Sequence, residues 1–468
     1  MKKEYCGLFG IHNHDEAARM TYFGLYAQQH RGQESAGIVT WDGQKLREQK
    51  GMGLVAEVFN ERHLAKELKG KTSIGHIRYS TTGASLIRNA QPFLVRYKDW
   101  GLAIAHNGNL VNAVELRREL ERGGSIFQTT IDSEVLVHLI AKNLGDNDDL
   151  EGAVKAACNR AKGAYSLLIQ ANDKLIAVKD PNGFRPLALG RYEDSYVLAS
   201  ETCAFDLLEA EYLRPVNPGE MLVIDSQGMR SYMLCEPCPT TQCIFELIYF
   251  ARPDSVVFGE TVYERRKAMG SILADEAPVE ADYVMPFPDS GNYACVGFAQ
   301  TSGMPLEMTM IRNHYVGRTF IQPSQDMRDF STRVKLNPVR SMIKDKRIVI
   351  VEDSIVRGTT IRTRVKKLRE LGAREIHMRV SCPAIRHPCF YGIDFSSKGE
   401  LIAANHRVED IARFIGLDSL HYLSIEGLLK SVSKREDYCL ACFNGEYPVE
   451  PCEGTGKSCF EDETAMSW

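Results

Sequence analysis

The sequence predicts an α/β protein of two or three domains, with a parallel sheet in its C-terminal half. Three observations carry this. The chain has 468 residues, enough for several hydrophobic cores. Residues 348–351 are four consecutive β-branched residues behind Arg347, the mark of a strand buried on both faces. Residues 158–225 alternate strand-like runs with turns, as in 165–170 and 175–178.

Composition narrows the class. Hydrophobic residues make up 44% and charged residues 25%, as in ordinary soluble proteins. The net charge of -4 gives no ground for nucleic-acid or membrane binding. No apolar run reaches transmembrane length and no signal-peptide core is present. Thirteen cysteines, an odd number, fit a reducing cytoplasmic setting in which thiols serve chemistry or metal. There is no repeat or low-complexity segment.

Residues 1–5 are a short polar leader. Cys6-Gly-Leu-Phe-Gly-Ile then opens a small strand. A buried strand cysteine is one reading. Alternatively, cleavage after Tyr5 would make Cys6 a new N-terminus, whose α-amine titrates near neutral pH and can act as general base for its own thiol. Residues 29–37, Q-H-R-G-Q-E-S-A-G, follow a helix and turn onto a strand. Residues 75–83 place Arg78 beside hydroxyls, and 89–93 form a loop. His106-Asn107-Gly108-Asn109 ends a strand with a turn rich in amide donors. Asp132 precedes the apolar helix 135–144, where a helix cap is its plainest role. Ser200-Glu201-Thr202 lines a cleft or forms a loop.

Regular structure breaks near 230–241, at Cys235-Glu-Pro-Cys238-Pro, which sets a domain boundary there. Beyond it lie the apolar segment 244–250 and a proline-rich strand end at 285–291 that includes Ser290. A polar stretch between 317 and 338 reads as a lid or a surface loop. Glu352 and Asp353 follow the strand 348–351, then the loop 354–360. A helix comes next, with Ile361, Val365, Leu368 and Leu371 on one face and Gly372 placed to end it. Free N–H groups at such a loop and helix start attract phosphate, and strand ends of an open sheet face the ligand. The two carboxylates suit ribose hydroxyls or a bridging metal. An ordinary strand–loop–helix turn has the same outline, and the Walker spacing is absent.

Taken together, C-G-L-F-G-I, H-R-G-Q-E-S-A-G, R-Y-S-T-T-G, N-A-Q-P-F, H-N-G-N-L and T-I-D-S-E resemble a class II glutamine amidotransferase with an N-terminal nucleophile. The resemblance implies a four-layer α/β/β/α sandwich over 6–235, behind a cleaved leader 1–5. It also implies that Cys6 attacks glutamine and that Asn107 and Gly108 stabilise the oxyanion. Arg78, Thr81 and Asp132 would hold the substrate's polar ends.

V-E-D-S-I-V-R-G-T-T with its flanking segments resembles a type I phosphoribosyltransferase domain, expected over 236–443 with a tail at 444–468. Both halves in this order are similar to the amidophosphoribosyltransferase family. The resemblance implies ammonia displacing pyrophosphate from phosphoribosylpyrophosphate, with an internal ammonia passage and lid closure. Lys335, Glu352, Asp353, Ser354, Arg357, Gly358, Thr359 and Thr360 would bind that substrate. Ser290, Glu352 and Asp353 would hold Mg²⁺. Many relatives carry Asp where Glu352 stands, which puts direct metal coordination there in question. Purine nucleotide inhibitors and a homotetramer are further family expectations. Other class II amidotransferases, such as glucosamine-6-phosphate or asparagine synthetase, lack the second motif. A non-enzymatic phosphoribosylpyrophosphate sensor would not need the first.

Cys439-Leu-Ala-Cys442 has metal-ligand spacing. By spacing alone its partner is Cys235-Cys238, a four-cysteine zinc site. The resemblance instead implies a [4Fe–4S] cluster on Cys243, Cys389, Cys439 and Cys442.

Overall fold

A computed structural model of the chain describes residues 6–79, 85–144, 149–313, 336–393 and 397–452. The N-terminal half is two antiparallel sheets stacked face to face. One has seven strands in the order Glu211–Pro215, Ala188–Tyr192, Ser195–Ala199, Gly7–His12, Thr72–Arg78, Ser35–Trp41, Leu46–Met52. The other has six, in the order Gly228–Met233, Glu220–Asp225, Lys174–Lys179, Gly163–Ala171, Trp100–Leu110, Phe93–Tyr97.

Period-two alternation builds the layers. Leu8, Ile74, Ala103, Ala105, Leu168 and Leu222 point inward and form the core between the sheets. Their neighbours Phe9 and Ile11 point outward against the helices Ala17–Ala27 and Cys203–Leu208. On the opposite side Leu102, Ile104, Leu167 and Ile169 pack on helices Ser133–Leu144 and Leu150–Arg160. The result is the expected α/β/β/α sandwich.

The C-terminal half is built on a four-stranded parallel sheet, ordered Tyr283–Pro286, Arg347–Glu352, Glu375–Val380, Ser419–Tyr422. Arg347–Glu352 has a strand on each side, and Ile348, Val349, Ile350 and Val351 are fully buried, as the β-branched run required. Its largest apolar core runs from Cys243 to Phe443, whereas Leu234 still packs in the N-terminal half.

Three expectations change. H-N-G-N is not a turn: it lies inside the strand Trp100–Leu110, paired with Gly163–Ala171 through Leu110. Thr359 and Thr360 are the first turn of the helix Thr359–Glu370 rather than loop, because Gly358 at φ 73° turns the chain into it. Part of the expected tail is packed: Tyr447 and Val449 sit against Phe390, Tyr391 and Phe184, and Tyr391 Oη donates to Val449 O at 2.6 Å. Among the described residues no helix is long and apolar enough to cross a membrane.

Candidate functional site

Cys6 stands at the mouth of Gly7–His12, buried, with Sγ 3.7 Å from Tyr79 O. Burial pushes its thiol up to about 11. The Tyr79 contact and the Arg78 guanidinium pull it down, and the Glu34 and Asp132 carboxylates push it up. Arg78, Glu34 and Asp132 are therefore within electrostatic reach of the sulfur. Arg78 ends the neighbouring strand, and its Nη1 donates to Glu34 Oε1 at 2.8 Å.

The two sheets are stitched at this end. His76, paired opposite Leu8, lies 3.1 Å from His106 O through Nε2. That contact joins the strand that carries Asn107 and Gly108 to the strand paired with Gly7–His12. The Asn107 side chain is fully buried, and among the described residues neither its Nδ2 nor its Oδ1 has a hydrogen-bond partner. An unsatisfied buried amide is costly and calls for an explanation. At Gly108, φ is 152° and a Cβ would stand 2.0 Å from Ala164 O, so only glycine fits.

Asp132 is more than a cap. Its Oδ1 is 3.2 Å from His106 Nδ1, and its Oδ2 accepts from Leu110 N at 2.9 Å. Burial works against the charge of both partners. Even so, their mutual attraction holds Asp132 below and His106 above its ordinary value. Thr81 and Lys335 lie outside the described residues, as does most of the expected lid.

A second site lies at the carboxyl end of Arg347–Glu352. Glu352, Asp353 and Ser354 are all buried. Glu352 Oε1 accepts from Ser290 Oγ at 3.3 Å and from Asp353 N at 3.0 Å, and Arg364 Nη1 is 3.7 Å from Oε2. Ser354 Oγ donates to Asp353 Oδ2 at 2.5 Å. Arg357 is half-exposed and reaches across to Glu400 at 2.5 Å. The structure thus brings Ser290, Glu352, Asp353 and Ser354 together at one strand end, beside the start of the helix Thr359–Glu370.

The cysteines sort differently from their spacing. Cys243, Cys389, Cys439 and Cys442 line one small cavity of about 20 Å³ with Phe184, Arg185 and Tyr391. Cys243 pairs directly with Cys439 in a short parallel ladder. Cys235 and Cys238 are exposed and do not line it; Cys238 Sγ is 3.1 Å from Pro181 O. Burial pushes Cys243 up to about 11 and Cys439 up to about 12, with Arg185 pulling both down. Among the described residues no three His, Cys, Asp or Glu side chains are close enough to hold a single metal ion.

Sequence reasoning missed Glu34, His106 and Arg31. Arg31 is fully buried and donates through Nε to Cys6 O at 3.1 Å. Its one signal was position: H-R-G falls at the turn entering the strand beside Arg78. Glu201, left open as cleft or loop, is a buried partner of both His30 and Arg31.

A family model described as a glutamine amidotransferase domain matches residues 76–206. The chain is 51% identical over 458 residues to an amidophosphoribosyltransferase of Bacillus subtilis, covering 97% of this chain and 96% of that one. It is 48% identical over 462 residues to one of Methanocaldococcus jannaschii, covering 95% and 98%. A solved glutamine phosphoribosylpyrophosphate amidotransferase from B. subtilis, complexed with ADP and GMP, superposes with TM-score 0.90 at 50% identity, covering 96% of this chain and 99% of that one. A second, described as the allosteric regulatory enzyme of purine biosynthesis, gives TM-score 0.92 at 50% identity, covering 97% and 99%.

Proposed function

The chain belongs to the amidophosphoribosyltransferase family, and from that premise we propose how its own residues divide the work. The activity is the glutamine-dependent conversion of phosphoribosylpyrophosphate to phosphoribosylamine, the first step of purine biosynthesis. We divide the chain into 6–235 and 236–443, a reading that the change of core between Leu234 and Cys243 supports.

In the first half, Cys6 is the nucleophile once residues 1–5 are removed. Its sulfur attacks the side-chain amide of glutamine, and the α-amine takes the thiol proton and passes it to the departing ammonia. Water then cleaves the thioester to glutamate. Asn107 Nδ2 and Gly108 N stabilise the oxyanion of each tetrahedral intermediate. Arg78 and Thr81 take the carboxylate of glutamine and Asp132 its ammonium.

In the second half, Ser354, Arg357, Gly358, Thr359 and Thr360 wrap the 5-phosphate at the helix start. Lys335 reaches the pyrophosphate. Glu352 and Asp353 orient the ribose hydroxyls. With Ser290, these carboxylates are oxygen donors of the kind Mg²⁺ takes, and the ion would neutralise the leaving pyrophosphate. The Glu352 carboxylate is already aimed at Ser290 Oγ, which supports this grouping.

We assign a [4Fe–4S] cluster to Cys243, Cys389, Cys439 and Cys442; their convergence on one cavity, with Cys235 and Cys238 outside it, supports this set of four thiols. Purine nucleotides are the inhibitors we propose, since one solved relative carries ADP and GMP. A homotetramer in the cytoplasm completes the reading; thirteen cysteines fit that compartment.

The observation that carries the glutaminase assignment is the buried Asn107 amide with both ends unmet. The test is Cys6→Ser assayed with either nitrogen donor. Glutamine-dependent synthesis should fall at least 1000-fold, on the order of losses seen for catalytic nucleophiles, while ammonia-dependent synthesis stays within twofold. Retained glutaminase activity would remove Cys6 from the mechanism.

A further inference from the structure

We propose that Arg31 is a positioning residue for Cys6, and that Glu246 of the C-terminal half holds it in place. This rests on the reading of Cys6 as the glutaminase nucleophile. Four of the five guanidinium donors of Arg31 are used. Nε goes to Cys6 O at 3.1 Å, Nη1 and Nη2 go to the two oxygens of Glu246 at 3.0 and 2.9 Å, and Nη1 also meets Glu201. All three charged side chains are fully buried.

The carboxylates are themselves held from both halves. Glu201 accepts from His30 Nε2 at 2.9 Å, from Arg252 N at 2.8 Å and from Ser255 Oγ at 2.9 Å. Glu246 Oε1 also takes Arg185 Nη1 at 3.3 Å, and Arg185 Nε continues to Tyr391 O at 3.0 Å. Two arginines and two glutamates balance in charge, so the cluster is a stiff buried frame spanning the two halves.

Its point of contact with the chemistry is a backbone carbonyl. After residues 1–5 are lost, Cys6 is covalently tethered only through Gly7. A terminal residue so tethered would swing its peptide plane, and with it both thiol and amine. The Arg31 bond to Cys6 O replaces the missing tether. Arg31 meets the backbone carbonyl of Cys6, where the peptide plane is fixed, so its part is orientation.

The bond pattern needs a planar fork, which lysine lacks although it keeps the charge. Arg31→Lys thus leaves the buried charges balanced while breaking the clamp, and Glu246→Gln removes the holder. Both variants, compared with Cys6→Ser, are assayed for glutaminase kcat, glutamine KM and ammonia-dependent synthesis. Any variant whose intact mass still includes residues 1–5 is remade to begin at Cys6. The expected result is a fall in glutaminase kcat of at least tenfold in both, KM within threefold, and ammonia-dependent synthesis within twofold. Glutaminase kcat within twofold of wild type, a change confined to KM, or a parallel loss of both syntheses would overturn the proposal. If Cys6→Ser itself keeps glutaminase activity, the underlying reading fails instead.

Discussion

A buried amide without a partner is a standing cost, and among the described residues Asn107 has a partner at neither end. If the group serves the oxyanion, Asn107→Ala should lower glutaminase kcat about 100- to 1000-fold, with ammonia-dependent synthesis within twofold. Steady-state assays with the two nitrogen donors decide it. The His106–Asp132 pair gives a pH signature. His106 is raised above 6.5 in the fold, so its contribution is whole below pH 6.5 and is lost as pH rises through the folded value. Asp132 is lowered from 3.8, so its share is present above that value and is lost on acidification. The melting temperature of wild type should therefore exceed that of His106→Gln most near pH 6, with the gap closing toward pH 9. A gap that widens with pH would mean that His106 is neutral in the fold. At this scale the grouping of Cys6 with Arg78 and Asp132 was legible, because each lies in a contiguous motif, and the structure brings both within electrostatic reach of the sulfur. Arg31, Glu34 and His106 were not. Their roles arise from pairing between strands far apart in sequence.

Among the elements, the strand Arg347–Glu352 was legible from its β-branched run, and its helix from Ile361, Val365 and Leu368, all buried as expected. H-N-G-N misled because Asn and Gly usually mark turns. Here ladder pairing with Gly163–Ala171 overrides that preference, and Gly108 serves close packing instead. The strand Lys174–Lys179 ends in a charge that the pattern did not flag. Lys179 is fully buried, with its ammonium 5.3 Å from the Phe258 ring centroid across the two halves. Burial lowers its amine from 10.5 to about 8, against Asp180 and Glu220, which raise it. Below pH 8 the fold bears the full cost of holding the cation. Between pH 8 and 10.5 the unfolded chain keeps its proton longer, so this cost falls as pH rises. At about 1.4 kcal/mol per pH unit the cost is at most about 3–4 kcal/mol, less about 0.5–1 kcal/mol returned by the ring. Lys179→Met should accordingly stabilise the protein by up to about 3 kcal/mol at pH 7 in denaturant melts, and the gain should shrink by pH 10. A destabilised variant at pH 7 would show that the ring contact outweighs burial.

For the whole molecule, the thiol cavity joins segments that the chain keeps far apart. Cys243 lies just past the linker, Cys389 follows the third strand of the parallel sheet, and Cys439 and Cys442 come near the end of the described chain. The loop after Cys389 also touches the glutaminase half, where Asn109 Nδ2 donates to Phe390 O at 2.8 Å. Closing loops of this length costs conformational entropy, so whatever the thiols bind stabilises the assembled fold. Spacing alone paired the wrong C-x-x-C, because Cys235 and Cys238 sit on the exposed linker while the other four converge only in three dimensions. The raised thiols then give a stoichiometric prediction. With Cys243 near 11 and Cys439 near 12, and Cys389 and Cys442 also raised by burial, all four are protonated at pH 8. Metal ligation requires thiolates. Anaerobic reconstitution with iron and sulfide at pH 8 should therefore release about eight more protons per chain than the variant with all four cysteines changed to serine, measured by pH-stat: about four from the thiols and about four from the hydrosulfide that becomes the sulfide of the cluster. A difference below about four would mean that no complete cluster forms on these thiols, and the assignment of a four-cysteine cluster would fall with it.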